Sequence, residues 1–185
     1  MFRWLCILLL VASAWAQANP IAPAEDELEH FIADKGLLAA LGQMSHKVTD
    51  RASDLVVTAM GFLGVPYRRG GNSAETGFDC SGFVVAMYQS TVGLILPRRA
   101  NEQAAATEKI DKQDLQPGDL VFFNTMRRAF SHVGIYVGDG KFIHSPKPGA
   151  QVRVEDMGVN YWKRRFDGAR RVLAGQPAQP SHAQH

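Results

Sequence analysis

The stretch from residue 118 to 156 limits what this chain can fold into more than any other. Four short runs, "GDLVFF" (118–123), "HVGIYVG" (132–138), "KFIHS" (141–145) and "QVRVED" (151–156), are rich in β-branched and aromatic residues. Those residue types fit a pleated, half-buried surface. Turn signals "QPGD", "GDGK" and "PKPGA" stand before the first, third and fourth, and "VGDGKFI" reads as a tight hairpin. These runs predict an antiparallel sheet, which another strand near "ARRVLA" (169–174) closes.

Helical patterns come earlier. One helix is expected from about Asp50 to Leu63, capped by Thr49 or Asp50 and stopped by Gly64 and Pro66, with Leu55, Val56, Ala59, Met60 and Leu63 as its apolar face. A second runs from Cys80 to about Thr91 with Asp79 at the cap position and apolar residues at Phe83, Val84, Met87 and Tyr88. A third, short one is plausible at "ANEQAAATE". Between the first two, "YRRGGNSAETGF" (67–78) is a Gly-rich loop without the lysine and glycine spacing of a phosphate-binding loop, so it predicts no nucleotide role. Helices first and antiparallel strands later give an α+β domain, here over residues 49–174. The 185 residues suit one such domain, and the formal charge of +2 gives no reason to expect nucleic-acid binding.

The ends read differently. "MFRW", the apolar run "LCILLLVASA" and the small residues of "AWAQA" form a secretory signal peptide over residues 1–18, cleaved after Ala16 or Ala18. It is short for a membrane span, which needs roughly 20 apolar residues, so no stable membrane insertion is expected after cleavage. Cys6 lies inside the apolar run, where a lipidation signal would not put it. Residues 19–48 are a partly helical leader and 175–185 a Pro/Gln/Ala-rich disordered tail. The expected destination is the periplasm or the outside of the cell.

Export removes one of the two cysteines and leaves Cys80 alone. An intramolecular disulfide is then impossible, so Cys80 is paired between chains, a free reactive thiol, or a small buried hydrophobe. Its place at the first turn of a helix brings the positive end of the helix dipole and unpaired N–H groups to the sulfur, which favours a thiolate. A thiolate needs a proton partner. Of six histidines, His30 and His46 lie in the leader and His182 and His185 in the tail; only His132 and His144 edge predicted strands, with the hairpin between them. Neighbouring strands lie about 4.8 Å apart, so the two can serve as a base and its orienting partner. Two alternatives stay open on the residues alone: strand-end histidines that merely pack, and a three-ligand metal site of Cys80 with both histidines.

The blocks "GVPYRRGGNSAETGFDCSGFV", "LPRRANEQ", "LQPGDLVFF", "SHVGIYVGDGKFIHS" and "YWKRRFDGARRVL" resemble, in order, the NlpC-type cell-wall cysteine peptidases, across about residues 50–173. The resemblance implies a papain-like domain with the cysteine helix packed on an antiparallel sheet of five to six strands. It makes Cys80 the nucleophile, His132 the base and His144 the residue that orients it. Tyr67 falls beside the active site, and Asp79 and Ser81 flank the nucleophile, where they would help bind the free amino end of a substrate. Arg98 in "LPRR" is as plausible a solvated or structural arginine as a substrate contact. The implied function is a monomeric endopeptidase of peptidoglycan stem peptides, cutting a D-glutamyl–diaminopimelate bond or a diaminopimelate cross-link, with no cofactor or metal. The alternatives are an amidase of the sugar–peptide bond or an acyltransferase on the same scaffold, or a non-catalytic wall-binding module.

Overall fold

The computed structural model describes residues 50–173. The readings of a signal peptide, a leader and a disordered tail, and the four histidines in them, lie outside the described residues. Helix α1 covers residues 50–60. Then come β1 (Asn72–Ser73), β2 (Gly77–Phe78), α2 (Cys80–Val92), α3 (Ala100–Ala105), β3 (Glu108–Ile110), β4 (Leu120–Phe123), β5 (His132–Gly138), β6 (Lys141–His144), β7 (Arg153–Asp156), α4 (Asn160–Lys163) and β8 (Phe166–Arg171). β1 and β2 form a small ladder of their own, and the other six strands make one sheet in the order β3-β8-β4-β5-β6-β7. Every pairing in it is antiparallel. The α+β class and a sheet of five to six strands are therefore what the chain adopts.

α2 forms where its residues predict it. Asp79 accepts the Gly82 N–H as N-cap, and Gly93, at φ 71°, closes the helix with its N–H on the Tyr88 carbonyl. Phe83, Val84, Met87 and Tyr88 are buried on one side and pack with Leu55 and Ala59 of α1 against Leu120, Phe122, Val133, Ile135 and Ile143 of the sheet. Gly82 is required by close approach, since a Cβ there would lie 2.1 Å from the Gly71 carbonyl oxygen. The hairpin is also as read: the ladder closes at Gly138 and Lys141 over Asp139 and Gly140, both at positive φ (50° and 71°), as the favoured two-residue turn demands.

Other expectations are corrected. α1 ends at residue 60 in a turn over 61–64, leaving Met60 40% and Leu63 46% exposed. Phe62 packs inward in their place, its ring edge-to-face with Phe78 at 5.7 Å. The helix at "ANEQAAATE" stops at Ala105, because Glu108–Ile110 is taken up as β3 by pairing with β8. The last strand begins at Phe166 rather than Ala169, and it lies inside the sheet between β3 and β4 rather than closing an edge. The Gly-rich loop carries β1 and β2 and is tied across the chain, with the Tyr67 N–H on the Ala150 carbonyl at 2.8 Å. α4, the single turn "NYWK" that the sequence does not announce, brings Trp162 onto the sheet face opposite α2, against Val121, Phe123, Phe142 and Met157.

Candidate active site

The start of α2 is fixed by a polar cluster. Asp79 Oδ1 accepts from the Gly82 N–H at 2.8 Å and from Arg98 Nη1 at 2.9 Å. Its Oδ2 accepts from the Gly70 N–H at 2.9 Å and from Arg98 Nη2 at 2.7 Å. Arg98 Nη1 also donates to Ser81 Oγ at 2.9 Å. Arg98 is thus a two-pronged clamp on Asp79, held in place although its side chain is still 42% exposed. Behind it the buried Gln103 amide donates to the carbonyls of Ser81 (3.1 Å) and Pro97 (2.9 Å), holding the 97–98 turn against the helix start. Tyr67 faces the same cluster: burial pushes its phenol pKa up, the charges of Cys80 and Asp79 add to this, and Arg69 and Arg98 oppose it.

Cys80 is a free, half-buried cysteine at the first position of α2. Burial pushes its thiol pKa up, the Asp79 carboxylate pushes it further, and the backbone N–H groups of Val133, Ser81 and Cys80 itself act against both without winning. This corrects the expectation of a resting thiolate. Half a helix charge and three amides do not outweigh the lost hydration of the sulfur and a carboxylate next to it. Since the Val133 N–H is among the groups acting on it, the thiol lies near the start of β5, where His132 precedes Val133 in the chain. No hydrogen bond joins the sulfur to the His132 ring at rest, and such contacts commonly tighten only once substrate is bound.

The two histidines do meet. His132 Nε2 and His144 Nδ1 are 2.7 Å apart, with the side chains 3% and 0% exposed. Gly134 on β5 makes room for this, since a Cβ there would lie 3.1 Å from the Cβ of His144. The rings sit in an aromatic box. Trp162 stacks on His132 (centroids 5.5 Å apart, planes at 24°) and meets His144 edge-on at 5.1 Å, while Phe142 lies 4.6 Å from His144. Burial in this box drives the pKa of His132 well down, and the neighbouring His144 adds to that. His144 is also lowered by burial, with Glu155 opposing. At neutral pH both rings are neutral, so the resting site is a thiol and an imidazole, not an ion pair.

Sequence reading missed four participants. Glu155 Oε2 lies 2.9 Å from His144 Nε2, and Arg153 Nη2 lies 2.7 Å from Glu155 Oε1. Trp162 and Gln103 are the others. The register of β6 on β7, His144 opposite Arg153 and Phe142 opposite Glu155, makes His144 and Glu155 diagonal neighbours on one sheet face. Alternation in "RVED" puts Arg153 and Glu155 on a common face, but which face depends on a register that the loop between the strands does not reveal.

Comparison with known proteins shows what the chain as a whole is similar to. The profile of the NlpC/P60 family matches residues 64–171. The murein DD-endopeptidase MepH of Escherichia coli is 46% identical over 60% of this chain and 42% of its own length, so the chain spans less than half of that relative. The protein named murein DD-endopeptidase MepS/murein LD-carboxypeptidase, also from Escherichia coli, is 32% identical over 86% of this chain and 76% of its own. Among solved structures, an NlpC/P60 family protein from Bacillus cereus superposes with a TM-score of 0.62 at 39% identity, over 66% of this chain and 40% of that one.

Proposed function

The chain belongs to the NlpC/P60 family, and from that premise we propose that it is a peptidoglycan hydrolase, a cysteine endopeptidase that cuts an amide bond of the stem peptide. Cys80 Sγ attacks the scissile carbonyl carbon while its proton passes to His132, whose Nδ1 carries no hydrogen bond among the described residues. The oxyanion so formed is met by the N–H groups of Cys80 and Ser81, the helix-start amides left over once Asp79 has capped Gly82. A single donor of this kind typically contributes about 2.7–4 kcal/mol to lowering the barrier. His132 then gives its proton to the leaving amine, the acyl group stays on Cys80 as a thioester, and water releases it.

The observation that carries this reading is the buried His132–His144 bond of 2.7 Å, at the start of β5, whose next residue, Val133, has its N–H acting on the Cys80 thiol. At the other end of the site, Tyr67, Asp79 and Ser81 would meet the free amino end of the substrate. Arg98 already neutralises Asp79, so an incoming ammonium would find an ion pair, and the Tyr67 hydroxyl becomes the contact on which that end most depends. The bond cut is a D-glutamyl–diaminopimelate bond or a diaminopimelate cross-link.

Purified protein incubated with peptidoglycan fragments and analysed by mass spectrometry tests this. Fragments shortened within the stem peptide are expected, and Cys80→Ala should lower the rate by on the order of 10⁴-fold or more. Full activity in Cys80→Ala would sink the thiol mechanism. Release of intact stem peptide from the sugar would replace the endopeptidase with an amidase.

A further inference from the structure

The two hydrogen bonds of the buried relay constrain one another. A neutral imidazole has one N–H and one bare nitrogen, so each ring must choose. Two imidazoles in series have two self-consistent arrangements: both protons on Nε2, or both on Nδ1. The His132–His144 contact at 2.7 Å is satisfied equally well by either. They are not equal for chemistry, because the second leaves a proton on the His132 nitrogen that must accept one from Cys80.

Glu155 breaks the tie. As a carboxylate it only accepts hydrogen bonds, and the Arg153 guanidinium, 2.7 Å from its other oxygen, keeps it in that form. Its contact with His144 Nε2 at 2.9 Å therefore requires the proton there. His144 Nδ1 is then bare and takes its hydrogen from His132 Nε2, and His132 Nδ1 is left as the free lone pair. We propose that Glu155 is a positioning residue that fixes the tautomer of both histidines and so makes His132 Nδ1 the base. The rings are hemmed in against turning over, since Trp162 stacks on His132 and His144 is packed between the tilted Phe142 ring and the edge-on Trp162. When His132 becomes an imidazolium during the reaction, the same carboxylate, two hydrogen bonds away, balances its charge. The relay runs diagonally across three neighbouring strands, β5, β6 and β7, and touches substrate only at its first member.

The catalytic half of this inference rests on the proposed hydrolase activity, and the tautomer half does not, so the test reads them separately. Nitrogen-15 NMR of the labelled protein at neutral pH assigns the protonated nitrogen of each ring. Wild type is expected to show Nε2–H on both His132 and His144. Glu155→Leu, at a side chain still 24% exposed, should leave His144 as a mixture of tautomers. On peptidoglycan fragments the same variant should lose about tenfold to a hundredfold in kcat with KM little changed, and Glu155→Asp should recover part of that loss. A proton on His132 Nδ1 in wild type would overturn the proposal, whatever the variants do. So would unchanged tautomers and unchanged kcat in Glu155→Leu. If neither protein cleaves the fragments but the tautomers shift as expected, the activity reading fails and the positioning role stands.

Discussion

On one face of the six-stranded sheet, Leu120, Phe122, Val133, Ile135 and Ile143 are sealed under α1 and α2. On the other, Val121, Phe123 and Phe142 have for cover Met157, Trp162 and the half-buried Leu115, Tyr136 and Phe166. The helix-covered face is apolar and deep. The thinner face holds the two histidine rings among its aromatics, and its main lid is a single tryptophan on a four-residue helix. The nucleophile arrives with the helices, because Cys80 packs at the edge of the first cluster, whereas the proton relay belongs to the second. A division of labour follows: damage to the deep face should appear as lost stability, and damage to the thin face as lost chemistry.

Three substitutions or conditions test that division. Phe122→Ala, at a fully buried position under the helices, should cost about 3–5 kcal/mol, read by urea unfolding, with kcat of the folded fraction little altered. Trp162→Phe keeps an aromatic lid but shrinks the surface stacked on His132. It should cost about 1 kcal/mol or slightly more while lowering kcat about tenfold. If instead the two variants lose stability and kcat in the same proportion, the faces are not specialised. The smallest effect is that of pH. Both histidines have folded pKa values below the ordinary 6.5, so the unfolded chain takes up protons that the folded chain refuses. Their stabilising contribution is complete above 6.5 and is lost as pH falls from there through the folded values. Between about pH 7.5 and 6 the loss should be about 1 kcal/mol, and a flat profile would place the rings in a wetter site than the aromatic box provides. The thiol should behave in the opposite sense. With its pKa raised above the ordinary 9.0, alkylation by iodoacetamide should still be accelerating above neutral pH.

What the residues made legible was local. Asp79 as cap, Cys80 at the first turn and the bounds of β5 follow from patterns spanning a few positions, and a two-residue turn brings β5 and β6 together, so His132 and His144 could be paired on paper. The partners that escaped notice all arrive from a distance. Glu155 and Arg153 depend on how β7 registers on β6 after a loop, Trp162 on where a one-turn helix settles, and β3 on pairing with a strand some 60 residues later. The role of Arg98 was undecidable for the same reason: nothing in "LPRR" says that it closes on Asp79, 19 residues away. The resting thiol went wrong because the helix end is visible in the sequence and the burial around it is not.

β8 is the last strand among the described residues, yet it lies between β3 and β4, pairing with both. Until residues 166–171 are available, β3 has no neighbour and β4 presents an open edge. The sheet cannot be completed without this interior element, and the large sequence separations it closes are the kind that slow folding. A chain emerging from its amino end carries Cys80, His132 and His144 well before it can complete the sheet that positions them. The residues that synthesis delivers late thus fill an interior place in the sheet, a demand set by the connectivity rather than by any side chain.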